Sequence, residues 1–376
     1  MIPFESAADK AATCVGKPKG VELEEEKKKG KERMIRFECD YGEGAHPKVL
    51  QLLQETNLEQ TPGYGCDPWC EKAGQQILEA CGAPDADVQF VVGGTQANLM
   101  VIASILRPYE GAISASTGHI NVHETGAVEA TGHKVLALPE KDGKISADQV
   151  EKCLLEYENS TTQEHVVKPG IVYISQPTEY GTMYYYNELK AISDVCRAHN
   201  VPLFVDGARL AYALAAQDND ISLPDMAKLC DVFYIGGTKV GCLFGEAIVF
   251  TDKKYADGFR MVMKQHGGML AKGRLLGVQF SALFTGGLYE EIGKHADDLA
   301  MKVKKALKNK GIPLYYESST NQQFCILTDE QWDRLNKTYA LSDNGPVEGG
   351  RLLRICTSWA TRAEDVDRLV ADINKL

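Results

Sequence analysis

Apolar runs alternate with amphipathic segments along most of the chain. Short uninterrupted apolar runs predict strands, and apolar residues three or four positions apart predict helices. On this basis we predict strands at 87–92, 170–175, 202–206, 232–235 and 247–250, and helices at 95–106 and 187–200. Because the strands do not alternate between apolar and polar residues, both faces of their sheet must be covered. This is typical of a mostly parallel central sheet covered by helices, and the core is predicted to be α/β.

The pattern changes after about residue 285. A long helical stretch (288–310) is followed by the strand-like runs "FCILT" and "LLRICT", and by a last helix in which Thr361 and Glu364 have capping-box spacing. We therefore predict a large α/β domain at 34–285 and a smaller C-terminal α+β domain at 286–376. Residues 1–33 contain the charged run "EEEKKKGKER" and are predicted to be a poorly packed extension or an artefact of expression.

Charge and cysteine content restrict the function. The net charge of −11 argues against nucleic-acid binding, which needs a basic face. No apolar run approaches the roughly 18 to 20 residues that span a bilayer, and the N-terminus lacks a signal-peptide pattern, so we predict a cytoplasmic protein without membrane partners. The cysteines lack disulfide or zinc spacing, and His119 and His123 would be an incomplete metal shell, so no metal site is predicted.

Polar residues follow several of the predicted strands, at the sheet edge where parallel sheets bind ligands. In "VVGGTQAN" (91–98), two glycines and a helix start expose backbone N–H groups to an anion, although Thr95 could simply cap the helix. In "LFVDGARL" (203–210), Asp206 ends an apolar strand and needs a cation or a proton donor. A purely structural pair with Arg209 is the alternative.

The segment "DVFYIGGTKVGCLFGEAIVF" (231–250) places Lys239 in a glycine-flanked turn between two strands. Partial desolvation there would lower the pKa of this lysine and make it a nucleophile, whereas the alternative is a surface lysine on a hairpin. In "STGHINVHETGA" (116–127), His119 offers a flat ring. Pyridoxal phosphate requires a turn that binds its phosphate, an acid at its ring nitrogen, a lysine at its aldehyde and a flat side chain against its ring, and these segments could supply all four.

These motifs resemble those of the fold type I pyridoxal-phosphate enzymes, and within them the low-specificity L-threonine aldolase and β-eliminating lyase family. The resemblance covers nearly all of the chain after residue 33, through "CDYGEGAHP", "YGCDP", "GGTQAN", "GHI", "DGARL", "GGTK", "GGMLAKG" and "RICTSW". It implies the fold type I pyridoxal-phosphate transferase fold, pyridoxal 5'-phosphate as cofactor, a small amino acid as substrate, and a homodimer or homotetramer with shared active sites.

The resemblance also implies roles for single residues around the cofactor. Lys239 corresponds to the Schiff-base lysine, Asp206 to the partner of the pyridine nitrogen, and His119 to the histidine that stacks on the ring. The phosphate turn corresponds to Gly94, Thr95 and Gln96.

Further residues correspond to the substrate side of the family's site. Arg354 matches the arginine that binds the substrate carboxylate, and Arg209 matches the one beside cofactor and carboxylate. Tyr64 resembles a tyrosine that commonly reaches the site across a dimer interface.

Three positions depart from the family. Glu179 stands roughly where a histidine often assists the substrate hydroxyl, and Cys39 stands where a serine near the carboxylate is usual. In "GGMLAKG", Leu270 replaces an arginine typical of the family, and Lys272 is the nearest cation.

The reaction implied by the resemblance is retro-aldol cleavage of the Cα–Cβ bond of a β-hydroxy amino acid. Threonine or allo-threonine would give glycine and acetaldehyde. Within the same cofactor class, the alternative is a β-eliminating lyase or an aminotransferase acting on another small amino acid. Outside it, the alternative is a pyridoxal-free α/β protein in which Asp206 and Lys239 form a structural ion pair.

Overall fold

A computed structural model describes residues 34–376 of the chain, so the extension predicted at 1–33 lies outside the described residues. The strands of this part are β1 (Ile35–Arg36), β2 (Asp87–Val91), β3 (Glu110–Ala115), β4 (Lys134–Leu138), β5 (Lys168–Ser175), β6 (Leu203–Asp206), β7 (Val232–Gly236), β8 (Glu246–Phe250), β9 (Gln322–Leu327), β10 (Tyr339–Ala340), β11 (Ser342–Val347) and β12 (Gly350–Cys356).

The α-helices of the same residues are α1 (Pro47–Glu55), α2 (Pro68–Cys81), α3 (Gly94–Ile105), α4 (His119–Val122), α5 (Ala127–Ala130), α6 (Ala147–Glu158), α7 (Tyr186–Ala198), α8 (Leu210–Ala215), α9 (Leu223–Leu229), α10 (Phe259–Gln265), α11 (Arg274–Leu283), α12 (Leu288–Lys310), α13 (Asp329–Leu335) and α14 (Ala363–Ile373). None of these helices is both long enough and apolar enough to cross a membrane.

Seven strands form the central sheet, in the order β2-β8-β7-β6-β5-β3-β4. Strand β8 runs antiparallel to both of its neighbours, and the other neighbouring pairs are parallel. The mostly parallel sheet predicted from the apolar runs is therefore confirmed. The turn between β7 and β8, which carries Lys239, lies at the edge where β5 and β6 end.

Successive side chains of a central strand point into two different cores. In β7, Val232 and Tyr234 belong to one buried cluster, and Phe233 and Ile235 belong to the other. The first cluster is closed mainly by α3 and α10, and the second by helices that include α2, α7, α11 and α12. Because each face of the sheet has its own helical layer, every position of the strand must be apolar.

The C-terminal part has its own antiparallel sheet, in the order β11-β12-β9. Its core includes residues of β9, β12, α12 and α14, and β1 joins it by pairing with β10. Helix α12 reaches both this core, through Val303, and the core of the central sheet, through Ile292. The strand-like runs of the sequence are confirmed as β9 and β12, whereas the domain boundary at 285/286 stays a prediction.

The capping box predicted for the last helix is wrong. Helix α14 has Arg362 at its N-cap position and no side-chain cap. The hydroxyl of Thr361 instead accepts a hydrogen bond from the backbone N–H of Ser358 at 2.8 Å. A threonine hydroxyl can bond to several nearby backbone groups, and here the preceding turn takes the bond that the spacing assigned to the helix.

Candidate active site

A cavity of about 290 Å³ opens at the carboxyl ends of the central strands. It contains most of the residues singled out from the sequence, namely Gly94, Thr95, His119, Glu179, Asp206, Arg209 and Lys239. These residues come from the turns after β2, β3, β5, β6 and β7, so five separate strand ends meet at one place. The topology thus produces the convergence that the positions of the turns predicted.

Asp206 ends β6 and is 5% exposed. Its two carboxylate oxygens accept four hydrogen bonds, from the hydroxyls of Tyr173 and Tyr234, the side-chain amide of Asn98 and the backbone N–H of Ala208. Burial opposes ionisation, but the charge of His119 and the bonds from the two tyrosines keep the pKa of Asp206 below its ordinary value. Asp206 is therefore a carboxylate that forms no ion pair with an arginine or lysine of the part of the chain that the structure describes.

Lys239 lies in the turn between β7 and β8, with its side chain partly buried. Burial, followed by the charge of Arg209, lowers the pKa of its ammonium group, and the charges of Asp40 and Asp206 only partly oppose this. Within residues 34–376, Lys239 forms no ion pair with a carboxylate. The alternative of a structural ion pair between Asp206 and Lys239 is therefore wrong, and the lysine is chemically available.

His119 begins α4 and is held by a buried glutamate. Its ring Nδ1 lies 2.7 Å from Oε1 of Glu124, which leaves Nε2 as the ring nitrogen free for the cavity. Asn98 donates to the same Glu124 oxygen at 2.8 Å and to Asp206 at 3.0 Å, so one amide links the two acids. Burial opposes the charged ring, but Glu124 and Asp206 outweigh it and raise the pKa of His119.

Glu179 follows β5 and faces the same cavity. Its Oε1 accepts hydrogen bonds from the backbone N–H of His119 at 2.9 Å and from the hydroxyl of Ser175 at 2.7 Å. Burial nevertheless raises the pKa of this carboxyl group. A carboxylate whose pKa is raised is a stronger base and therefore a better proton acceptor for a ligand.

The turn after β2 presents the start of α3 to the cavity. Gly93 is the N-cap residue, and no side chain caps the helix, so the alternative of Thr95 as the cap is wrong. The first N–H groups of a helix have no acceptor within it and favour an anion. Gln96 instead stabilises the turn, because its Oε1 accepts a hydrogen bond from the N–H of Val92 at 3.2 Å.

Gly94 is required by close packing in this turn. A Cβ atom at this position would lie 2.8 Å from the hydroxyl of Tyr234, which is one of the donors to Asp206. Glycine at position 94 thus allows the turn after β2 to lie close to Tyr234 and Asp206.

The two predicted arginines differ in their surroundings. Arg209 lines the cavity and binds Asp40 in a bidentate pair, through Nε at 2.6 Å and Nη2 at 3.0 Å. Arg354, in β12, donates to the backbone oxygen of Glu38 at 2.9 Å and to Gln322 at 3.2 Å. Its Nε is buried and has no partner among the described residues. Arg354 is not part of the cavity wall in a single chain.

Two other predicted residues lie outside the cavity of the single chain. Cys39 is half-buried in the segment that precedes Asp40. Tyr64 is 46% exposed and has a left-handed backbone, with φ of 62°. It lines a different groove of about 520 Å³, together with Arg260 and Met269.

Glu246 is a cavity residue that the sequence reasoning missed. It opens β8, is 3% exposed, and accepts a hydrogen bond from the N–H of Gly237 at 3.1 Å. Burial raises the pKa of this carboxyl group to about 8. The sequence does contain a pattern that could have identified Glu246. This residue adjoins the apolar run "AIVF", just as Asp206 adjoins the apolar run "LFV". Asp40, Asn98 and Glu124 were also missed, and they carry no such pattern.

The chain is similar to known proteins over most of its length. The model of the beta-eliminating lyase family matches residues 47–330. The chain is 29% identical over 342 residues to a low specificity L-threonine aldolase of Pseudomonas sp. (strain NCIMB 10558), which covers 90% of this chain and 96% of that protein. A solved structure of Leishmania major threonine aldolase is 44% identical, with a TM-score of 0.88, and the match covers 91% of this chain and 99% of that chain.

More distant structures share only the fold. Aspartate aminotransferase from Thermus thermophilus with maleate is 14% identical, with a TM-score of 0.67 over 91% of each chain. The fold type I architecture expected from the motifs is thereby confirmed. The family match spans well over half of the chain, and the chain belongs to the beta-eliminating lyase family.

Proposed function

We propose that this protein is a pyridoxal-phosphate-dependent lyase that cleaves the Cα–Cβ bond of a β-hydroxy amino acid, giving glycine and acetaldehyde from threonine or allo-threonine. The observation that carries the proposal is the meeting of Asp206, Lys239 and the first turn of α3 in one cavity. The threonine aldolases among its relatives support the choice of reaction. β-Elimination or transamination, the alternative within the cofactor class, is not favoured.

The groups around the cavity fit the proposed cofactor. Lys239 is a partly desolvated amine suited to covalent attachment, and Asp206 is a buried carboxylate suited to a protonated ring nitrogen. Gly94 and Thr95 would hold the phosphate with the N–H groups of α3, and His119 offers a ring face. When bound, the cofactor supplies an acceptor for the electron pair released at Cα.

The arginines would bind and orient the substrate. A guanidinium group matches a carboxylate in two parallel bonds, and fixing the carboxylate selects which bond at Cα is presented for cleavage. Arg209 lines the cavity, and Arg354 lies in β12 with a buried Nε that has no partner within residues 34–376.

Two groups could accept the proton of the β-hydroxyl, namely Nε2 of a neutral His119 and the carboxylate of Glu179. As this proton leaves, the C–O bond becomes a carbonyl, the Cα–Cβ bond breaks and the aldehyde departs. A proton then returned to Cα completes glycine. The short link from Glu179 to the backbone of His119 keeps both groups on the same side of the cavity.

We also propose a homo-oligomer with shared active sites. Tyr64 lies outside the cavity of its own chain and is substantially exposed, although the family resemblance assigns it to the site. A second copy of the chain would reconcile these two facts if its tyrosine reached across a two-fold interface.

The proposal is tested with purified protein supplied with pyridoxal phosphate. We expect an absorbance band of the covalently held cofactor, and acetaldehyde and glycine in equal amounts from threonine or allo-threonine. Lys239→Ala should lose the covalent band and turnover, whereas the exposed Lys305→Ala on α12 should keep both. Release of ammonia or a keto acid without any aldehyde would instead establish the alternative reaction class.

A further inference from the structure

Both predicted carboxylate arginines are attached to one short segment, residues 38–40. Arg354 donates to the backbone oxygen of Glu38, and Arg209 is paired with the side chain of Asp40. Neither Glu38 nor Asp40 was predicted to take part in the site. The segment follows β1, which pairs with β10 in a separate two-stranded sheet on the C-terminal core, and it reaches Arg209, which follows β6 of the central sheet.

Asp40 is completely buried, with 0% of its surface exposed. Besides the two bonds from Arg209, it accepts one from the side-chain amide of Asn321 at 2.9 Å. The same amide donates to the backbone oxygen of Thr357 at 2.9 Å, which ties the pair to the C-terminal sheet. Burial disfavours a charged carboxyl, but the charges of Arg209 and Lys239 outweigh it, and the pKa of Asp40 is lowered.

The bidentate pair determines what Arg209 can offer to a ligand. Asp40 accepts the N–H of Nε and one of the two N–H groups of Nη2, so the N–H groups of Nη1 and the second one of Nη2 are the donors left for a ligand. The charge of Arg209 is balanced by Asp40. The hydrogen-bond acceptors of Arg354 among the described residues are neutral, namely the backbone oxygen of Glu38 and the amide of Gln322. Arg354 therefore supplies net attraction for a carboxylate, and Arg209 supplies a donor of fixed direction.

We propose that Asp40 is a positioning residue, which holds the Arg209 guanidinium so that the substrate carboxylate is bound in a single orientation. This inference rests on the proposed function, because it assumes an amino-acid substrate in this cavity. Without Asp40, the charge of Arg209 is no longer balanced and attracts the carboxylate, but the guanidinium group no longer fixes the direction of that carboxylate. The loss should then fall on the orientation of the substrate, with binding affected less.

The test compares Asp40→Asn with wild-type holoenzyme. We expect unchanged cofactor affinity, a KM for threonine within about threefold, and a kcat lowered about tenfold to a hundredfold, which is the scale for a reacting group misplaced by about 1 Å. A crystal structure of the variant should show the Arg209 guanidinium displaced. A raised KM with unchanged kcat, or an unmoved guanidinium, would overturn the proposal.

A second readout does not depend on aldol cleavage. In D2O, wild-type holoenzyme should exchange one of the two α-hydrogens of glycine, because a fixed carboxylate presents one Cα–H bond, and Asp40→Asn should exchange both. Asp343→Asn is the matched control, since Asp343 also pairs with an arginine, Arg351, through two nitrogens, and neither residue lines the cavity; it should behave as wild type. Retained selectivity in Asp40→Asn would refute the positioning role.

Removing the carboxylate leaves a buried guanidinium unpaired, so Asp40→Asn could fail to fold. Asn321→Ala is then the variant to use, because it deletes one of the three bonds to Asp40 and leaves the ion pair intact. This variant should show a smaller loss of selectivity between the two α-hydrogens of glycine, and exchange as selective as that of wild type would count against the proposal.

The two proposals can fail separately. If wild-type enzyme releases no aldehyde but still exchanges only one α-hydrogen of glycine, the proposed function fails while the role of Asp40 stands.

Discussion

Buried carboxyl groups in this protein differ sharply in what their neighbours offer them. Asp206 accepts four hydrogen bonds, and the pKa of its carboxyl group is lowered. Asp297 on α12 is 4% exposed, and neither of its oxygens has a partner among the described residues. Burial, reinforced by the charges of Asp298 and Asp218, holds the pKa of Asp297 well above its ordinary value. The surroundings therefore stabilise Asp206 as a carboxylate and Asp297 as a neutral carboxylic acid.

We expect Asp297→Asn to stabilise the protein near neutral pH. Because the folded-state pKa of Asp297 is raised, wild type loses stability as pH rises from the unfolded-state pKa of about 4 towards the folded-state value. The variant has no such loss, so its free energy of unfolding should exceed that of wild type by about 1 to 3 kcal/mol at pH 8 and by less at pH 5. Denaturant unfolding at the two pH values measures this.

The matched control is Asp298→Asn, one residue further along the same helix. Asp298 is exposed and bonded to Lys294 at 2.8 Å, so its replacement should change stability by less than about 1 kcal/mol at either pH. A gain for Asp297→Asn that is the same at pH 5 and pH 8 would contradict the assignment of a raised pKa.

Arg354 gives a second prediction at the residue scale. Arg354→Lys keeps the positive charge, but a lysine ammonium lacks the planar guanidinium group. It therefore cannot bond to Glu38 and Gln322 and also bind a carboxylate through two parallel hydrogen bonds. We expect weaker substrate binding, by about 1.5 to 3 kcal/mol for a lost charge-assisted bond, read as a higher KM for threonine. An unchanged KM would remove Arg354 from carboxylate binding.

At the scale of elements, the contact between α2 and α11 depends on a glycine. A Cβ atom at Gly277 would lie 2.4 Å from the backbone nitrogen of Cys70 and 2.6 Å from its Cα atom. No side-chain rotation can relieve a clash with backbone, so the two helices would have to separate. The close approach places α11 against the start of α2, where the side chain of Asp67 caps the helix.

Gly277→Ala should therefore lower the free energy of unfolding by about 1 to 3 kcal/mol or more. Gly74→Ala in α2 is the matched control, because a Cβ atom there would meet Val88 at 3.8 Å, an ordinary contact. Alanine is the better helix former, so Gly74→Ala should be neutral or stabilising by up to about 1 kcal/mol. Equal thermal midpoints for the two variants would show that the helices separate without cost.

At the scale of the whole molecule, the position of Tyr64 predicts complementation between subunits. Tyr64→Ala and Lys239→Ala should each be nearly inactive alone. If Tyr64 serves the partner's cavity, a mixed dimer has one site with both native residues, and an equimolar exchanged mixture should regain about a quarter of wild-type activity. Activity is measured after reversible dissociation and reassociation, and no recovery would mean that Tyr64 acts within its own chain or in neither site.

Local sequence pattern was enough to predict much of the architecture. The apolar runs at 232–235 and 247–250 became β7 and β8, and the run "LFV" with Asp206 became β6, because a strand covered on both faces is mostly apolar. The turns after these strands could be proposed as ligand sites, since parallel strands end at one edge. Capping by Thr361 was mispredicted, because a hydroxyl has several nearby backbone partners and spacing alone does not choose among them.

Partners that are distant in the chain were decided by tertiary structure alone. Asp40 meets Arg209 across 169 positions, and Asn98 meets Asp206 across 108, and no periodicity connects them. The sequence by itself determined which residue types stand at the strand ends, because that depends on neighbours within a few residues. The order of the strands and the path of segment 38–40 decided which side chains share a cavity and which charges are paired, because burial and distance exist only in the folded chain.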